Sequence, residues 1–428
     1  MFSAPLLASC RDAIATALRD LPFQAIPTRI AKKIWITSGL LCIFPALAAG
    51  QNSVTVFGVM DINVTHVSAG GNPEGSRTFI DTGGINSSRL GFRGTEDMGG
   101  GLSAGFWLEA GIQPQNGSGS STSVGNGATY PGTATGGGGL TFNRRATVSL
   151  LDARLGELRL GRDDSATYYN LDKLDPFNFN SIAQIGTLAT DPQSAAGPTI
   201  ARTSNQVAYL TPNTLGGFFA LADVALGGNP DNLVNAEGQN LRDVGNYAGL
   251  ELGYLNGPWY AAIATTVTHA SQTLSTLHIP EFPADAQGTG AGLNYGLGTG
   301  EIHVTNLGLT YNFGWIRPDV FFQSGRVDAA PRPYGTDVAS IGALIQTGLE
   351  QFRISYVHAT GEDFYSGSHA NLYGLGYVHL LSTRTAFYVI YARVSNSGAY
   401  AFSLNGYTPT PAPGGASSGI QLGVRTSF

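Results

Sequence analysis

From residue 53 onward the chain alternates apolar and polar positions with a period of two. In residues 53–64, Val54, Val56, Met60, Ile62 and Val64 share one face, while Thr55, Asp61 and Asn63 share the other. Such a period marks a strand, and its length suits one tilted pass through a bilayer. Residues 88–94 set Leu90 and Phe92 against Arg89 and Arg93. Residues 102–110 set Leu102, Ala104, Phe106, Leu108 and Ala110 against Ser103, Trp107 and Glu109. Between these two runs, residues 95–101 read Thr-Glu-Asp-Met-Gly-Gly-Gly, which predicts a short turn joining antiparallel neighbours. Longer segments rich in Gly, Ser and Thr, at 113–140, 270–300 and 402–418, alternate with such turns. Long loops at one end and short turns at the other are expected of an outer-membrane barrel.

The last stretch puts Ile420, Leu422, Val424 and Phe428 on one face. In lipid every backbone N–H and C=O needs a partner. Pairing of the first and last strands would supply those partners and remove both sheet edges. About 380 residues, at roughly 20–25 per strand with its connection, give on the order of 16 strands.

Composition points the same way. Charged residues make up 12% of the chain, against a usual ~25%, and glycine accounts for 59 of 428 residues. Mean hydropathy is +0.02. No run of ~20 apolar residues offers a membrane helix. The expected fold class is therefore all-β, a transmembrane antiparallel β-barrel with lipid outside and water inside.

The N-terminus reads as an address. Arg29, Lys32 and Lys33 precede an uncharged, largely apolar stretch over 34–48 that ends Ala46-Leu47-Ala48, the order of a secretory signal peptide. The expected organisation is an extension over 1–28 (read as a start site placed too far upstream), a signal peptide over 29–48 and a barrel over 49–428. Cys10 and Cys42 both precede residue 49, so the processed chain would hold neither a disulfide nor a thiolate metal site. Residues 1–48 hold five basic and two acidic residues, leaving 18 basic and 27 acidic ones and a formal net charge of −9. An acidic chain argues against a nucleic-acid partner. Seventeen of those 18 bases are arginine, whose planar, always charged guanidinium suits a confined pore wall. The seven histidines form no His-Glu-x-x-His motif, and no Gly-x-Ser-x-Gly is present. The glycine run 136–139 lacks the Lys-Ser/Thr of a phosphate cradle. Neither an enzyme nor a cofactor or metal site is expected.

Several stretches together carry a resemblance. They are Ser53-Val54-Thr55-Val56-Phe57-Gly58, the run from Ser88-Arg89-Leu90-Gly91-Phe92-Arg93 through Gly94-Thr95-Glu96-Asp97, Phe142-Asn143-Arg144-Arg145, Leu160-Gly161-Arg162, Leu381-Ser382-Thr383-Arg384-Thr385 and the terminal Phe428. In these the chain resembles the Gram-negative general porin family, in its β-proteobacterial branch. The resemblance implies a 16-stranded barrel in the outer membrane, assembled as a homotrimer. It also implies a third long loop that folds into the lumen and narrows it, an arginine cluster on the wall facing acids on that loop, and a C-terminal aromatic, Phe428, as a barrel-assembly signal. The wall positions that look equivalent are Arg89, Arg144 and Arg202. The loop position is Asp175, two residues beyond Lys173, with Asp172 nearby; the family's second loop acid has no clear counterpart.

Parity adds Arg93 and Glu109 to the water face beside Arg89. An arginine facing lipid near the midplane would cost about 2–4 kcal/mol. For Arg144 the two readings conflict, because its parity groups it with Ala146, Val148 and Leu150, while Arg145 groups with Thr147 and Ser149. A bulge could reset the alternation, Arg145 could be the lumen residue, or a subunit contact could cover an outward Arg144. The function implied is passive diffusion of small hydrophilic solutes and ions with a mild anion preference. The alternative is a substrate-specific outer-membrane channel with a saturable binding site.

Overall fold

A computed structural model describes residues 53–123, 126, 134–135, 139–191, 199–234, 238–273, 296–328 and 333–428. The expected extension over 1–28, the signal peptide over 29–48 and most of the loop over 270–300 lie outside the described residues. The wall is made of sixteen strands: β1 (Ser53–Ala69), β2 in two pieces (Ser76–Thr82 and Arg89–Gly99), β3 (Leu102–Gln113), β4 (Arg145–Asp152), β5 (Gly156–Asp164), β6 (Arg202–Leu210), β7 (Phe218–Ala225), β8 (Tyr247–Asn256), β9 (Trp259–Thr273), β10 (Gly296–Tyr311), β11 (Ile316–Asp328), β12 (Tyr334–Thr347), β13 (Glu350–Asp363), β14 (His369–Leu380), β15 (Thr385–Ser397) and β16 (Ala416–Ser427). Each pairs antiparallel with its neighbours in the chain. β1 closes the ring against β16, with Ile62 opposite Val424 and Val64 opposite Leu422.

Closure reaches the last residue. Phe428 and Gly58 exchange both backbone hydrogen bonds, each at 3.0 Å. A Cβ on Gly58 would stand 2.4 Å from Cζ of Phe428, so glycine is what lets the terminal ring lie against β1. The turn between β2 and β3 is tighter than the sequence suggests. The ladder runs on to Gly99, leaving Gly100 and Gly101 to turn the chain at φ 65° and 90°. Those left-handed angles favour glycine, and Asp97 Oδ1 accepts the Gly99 N–H at 2.8 Å. The segment over 270–300 is also less loop than expected, since β9 continues to Thr273 and β10 starts at Gly296.

The alternation places apolar side chains outward. Along β4, Val148 is 60% exposed and Leu150 43%, whereas Thr147 and Ser149 are 4% exposed. This is the inverse of a soluble sheet and matches a wall with lipid on its outer side. Near the short-turn ends the outer face carries a run of aromatic rings. Trp259 stacks edge-on to Tyr311 at 4.6 Å, Tyr311 touches Phe313 at 4.4 Å, and Phe352 lies 5.5 Å from Tyr377. Aromatic girdles of this kind sit at membrane–water boundaries. Among the described residues, the outward positions of β1–β5 carry no tyrosine or tryptophan; they are mostly aliphatic, with Phe92, Phe106 and His66 as the rings.

The apolar core lies inside the barrel. Between β5 and β6 the chain turns inward through helix α1 (Ala166–Leu174) and the short helix α2 (Gly186–Ala189). Ser165 caps α1 by accepting the Tyr168 N–H at 3.2 Å. Leu171, Leu174, Phe177, Ile182, Ile185 and Leu188 are wholly buried in one cluster with the inner wall. Burial of such side chains contributes about 1.5–3 kcal/mol each.

Candidate functional site

Polar contacts fix the inward loop to the wall at several heights. Asn170 Nδ2 donates to Asn306 Oδ1 at 3.0 Å, and Asn306 Nδ2 donates back to the Thr167 carbonyl at 2.9 Å. Gln323 Nε2 donates to the Ala189 carbonyl at 2.7 Å, and Gln421 Oε1 accepts the Ile182 N–H at 3.0 Å. Wall glycines make the room. A Cβ on Gly342 would stand 2.4 Å from Cγ of Pro176, and one on Gly374 would stand 2.8 Å from Cβ of Ala183 and 3.1 Å from Cε2 of Phe177.

Asp175 organises this loop. Its Oδ1 accepts the Phe177 N–H at 2.9 Å, and its Oδ2 accepts the Phe179 and Ile185 N–H groups at 3.1 Å each. The residue is fully enclosed. The expectation that Asp175 faces the wall arginines is therefore corrected: three converging N–H donors hold its carboxylate inside the loop. Enclosure strips water from it and pushes its pKa up to about 7, against the pull of those N–H groups. Asp172, half-buried on α1, is the loop acid within electrostatic range of Arg144, Arg89 and Arg202; burial raises its pKa, and Lys173 and those arginines oppose the rise.

The wall cluster opposite Asp172 is built around Glu109. Glu109 Oε1 lies 2.5 Å from Arg144 Nε and 3.6 Å from Arg89 Nε, and its Oε2 accepts the Trp107 indole N–H at 3.2 Å. Arg202, opening β6, lies 2.8 Å from Asp164 Oδ1, with its guanidinium 5.2 Å over the Tyr168 ring. Arg144 and Arg145 both turn inward. The strand begins only at Arg145, which follows the inner parity of Thr147 and Ser149. Arg144 precedes the ladder, so alternation does not bind it; its backbone N–H meets the Glu109 carbonyl at 3.2 Å and its side chain follows. Arg145 lies 3.7 Å from Asp163 and 3.9 Å from Glu157. Trp107 is held between two guanidinium groups, Arg145 at 4.8 Å and Arg93 at 5.2 Å from its ring. Asp164 and Tyr168 were not expected at this site. The parity of β5 gave no hint of Asp164, because the register breaks between Thr203 and Gln206 where β6 meets it.

The histidines are elsewhere. His66, His269, His303, His358, His369 and His379 all take outward positions, and His278 lies outside the described residues. Among the described residues no group of three or more His, Cys, Asp or Glu side chains is placed to hold a metal ion.

A Gram-negative porin family model matches residues 37–399. An outer membrane porin of Delftia acidovorans is 32% identical over 395 residues, covering 89% of this chain and 95% of that protein. The chain belongs to the Gram-negative porin family. An outer membrane porin of Bordetella pertussis is 26% identical, over 83% of this porin and 92% of its own length. A solved structure, the anion-selective porin from Comamonas acidovorans, superposes with a TM-score of 0.70 at 30% identity, covering 88% of this chain and all of that one. A Vibrio cholerae outer membrane protein shares the fold at a TM-score of 0.58 and 13% identity. This porin is thus an outer-membrane protein whose closed 16-strand barrel passes solutes by diffusion. Selectivity in such channels is set by pore radius and by charge at the narrowest point.

Proposed function

We propose that this porin is a homotrimeric diffusion pore for small hydrophilic solutes, that its inward loop narrows the lumen, and that the pore prefers anions mildly. The observation that carries this reading is the row Arg89, Arg144 and Arg202 on the wall with Asp172 facing it from the loop. Opposed charges across a narrow passage make a transverse field in which a polar solute aligns, whereas an apolar one must displace water from the charges. The similar Comamonas porin is described as anion-selective. The trimer reading is supported by the outward faces of β1–β5, where the aromatic girdle of the other strands is missing: a face covered by another subunit has no lipid boundary to meet.

The direct test is planar-bilayer recording of the refolded protein. Triplet, ohmic openings and a reversal potential on the anion side are expected. A folded protein that conducts as single steps would remove the trimer. Flux that saturates with solute concentration would favour the substrate-specific channel instead.

Two further outcomes follow from the same reading. Anion preference is expected to rise as pH falls through about 7, where Asp175 takes up its proton and the lumen loses a negative charge. The six described histidines all face outward, so a pH-independent reversal potential would contradict that role for Asp175. Deletion of Phe428 removes the Gly58 pairing and is expected to lower the yield of heat-resistant folded barrel. An unchanged yield would refute Phe428 as an assembly signal.

A further inference from the structure

Charge on the inner wall sorts by height. At the level of α1 every arginine has a carboxylate close by: Arg89 and Arg144 share Glu109, and Arg202 meets Asp164. Three bases therefore face Glu109, Asp164 and Asp172, so that the cluster makes a strong field with little net charge. Lower, toward the short turns, the pattern changes. Arg317 is the second residue of β11, Arg353 the fourth of β13, and Arg425 lies two residues from the end of β16. All three take inward positions. The register places Arg317 and Arg353 on either side of Leu344, in one ladder row and two strands apart. Two strand spacings are about 10 Å, which two arginine side chains can close on a shared ligand.

These arginines are only partly satisfied: Arg353 Nη2 donates to Gln351 Oε1 at 3.2 Å and Arg425 Nη1 to Ser427 Oγ at 3.1 Å. Arg317 Nε and Nη2 and Arg353 Nε and Nη1 donate no hydrogen bond, although the two residues are only 7% and 6% exposed. Of the nearby acids, Asp61 and Asp175 are engaged by other donors, whereas Asp319 lies within electrostatic range of Arg317 without a hydrogen bond to it. Asp61 spends its carboxylate on the N–H groups of Gly84, Ile85 and Asn86 and on the Tyr388 hydroxyl. Asp175 is occupied inside the loop as described. Asp319, 1% exposed, accepts nothing; it sits beside Gly342, where a Cβ would stand 3.0 Å from its Oδ1 and 2.4 Å from Pro176. Arg353 lies beside Phe177 of the loop across Gly376, with Arg317 and Arg425 as like-charged neighbours and Asp175 and Asp61 as opposite charges within electrostatic range. Unpaired charged donors held together at low exposure are costly unless something supplies acceptors.

We propose that Arg317, Arg353 and Arg425 form a second anion stage on the short-turn side of the loop, where a small oxyanion is held between Arg317 and Arg353 before release. The chemistry is that of a carboxylate or phosphate, whose paired oxygens match the guanidinium fork. This rests on the channel reading above and assigns to that channel a site separate from the Glu109 cluster.

The experiment is bilayer recording in chloride, with inorganic phosphate added to the short-turn side. Wild type is expected to show saturable phosphate block. R317Q/R353Q is expected to lose that block and to drop several-fold in anion over cation permeability, whereas R317K/R353K keeps the permeability ratio and weakens the block, because lysine carries the charge without the fork. If R317Q/R353Q does not fold, R425Q is recorded the same way, with a partial loss of both expected. An anion-selective wild type whose block and permeability ratio are unchanged in the substituted channels overturns the second stage and leaves the diffusion pore standing. A wild type that prefers cations, yet loses phosphate block in R317Q/R353Q, removes the anion preference and retains the second stage.

Discussion

Gly374→Val is expected to push the inward loop off β14 into the lumen and to lower single-channel conductance. A Cβ at this position meets Ser355 Oγ at 2.5 Å, Cβ of Ala183 at 2.8 Å and Cε2 of Phe177 at 3.1 Å. All three are side-chain atoms, and two belong to the loop. Strand β14 is held by a continuous ladder on both sides, so the loop is the part that yields. Overpacking of this kind costs about 1–3 kcal/mol, enough to shift the loop locally around Phe177 and Ala183 without releasing its buried apolar cluster or opening a sixteen-strand ring. Far-UV circular dichroism and heat-resistant migration are expected to match wild type while conductance falls. A higher or unchanged conductance from a folded Gly374→Val barrel would contradict the loop as the element that limits the pore. Gly308 is a poorer site for this test, because its Cβ would also meet the Val320 carbonyl oxygen at 2.5 Å and strain the wall itself.

The second large effect is a change of sign. Arg89→Ala/Arg144→Ala removes two bases that share Glu109 and leaves Arg202 against Glu109, Asp164 and Asp172. The passage beside α1 then carries more negative than positive charge, and the reversal potential in a salt gradient is expected to move from the anion to the cation side. The shift is expected to shrink at high ionic strength, since the Debye length falls from ~10 Å at 0.1 M to ~3 Å at 1 M salt. Arg145→Ala is the useful contrast. Arg145 lies with Arg159 against Glu157 and Asp163, so its loss is expected to disturb packing around Trp107 more than selectivity. A double substitution that leaves the reversal potential where it was would separate these arginines from ion choice.

The barrel was legible because membrane burial writes itself as parity. Val148 and Leu150 against Thr147 and Ser149 need no tertiary knowledge to assign, since one face meets lipid and the other water. Parity fails where the ladder stops. Arg144 looks outward only if the strand is assumed to include it, and it stands one residue before β4. The loop was harder. Asp172 and Asp175 are three residues apart and chemically alike, and what separates them is the return of the chain at Ile185 to bond Asp175, a contact no local pattern records. Arg317, Arg353 and Arg425 each show inward parity in the sequence. That Arg317 and Arg353 share one ladder row follows only from the register of β11 through β13, which the turns set one after another.

The most direct test of the central claim is the reversal potential of the wild-type protein in a planar bilayer under a salt gradient, recorded alongside its single-channel steps. Ohmic openings with a potential on the anion side are expected. A correctly folded barrel that does not conduct, or one that conducts with clear cation preference, would contradict the reading of the arginine-lined lumen as an anion-preferring diffusion path.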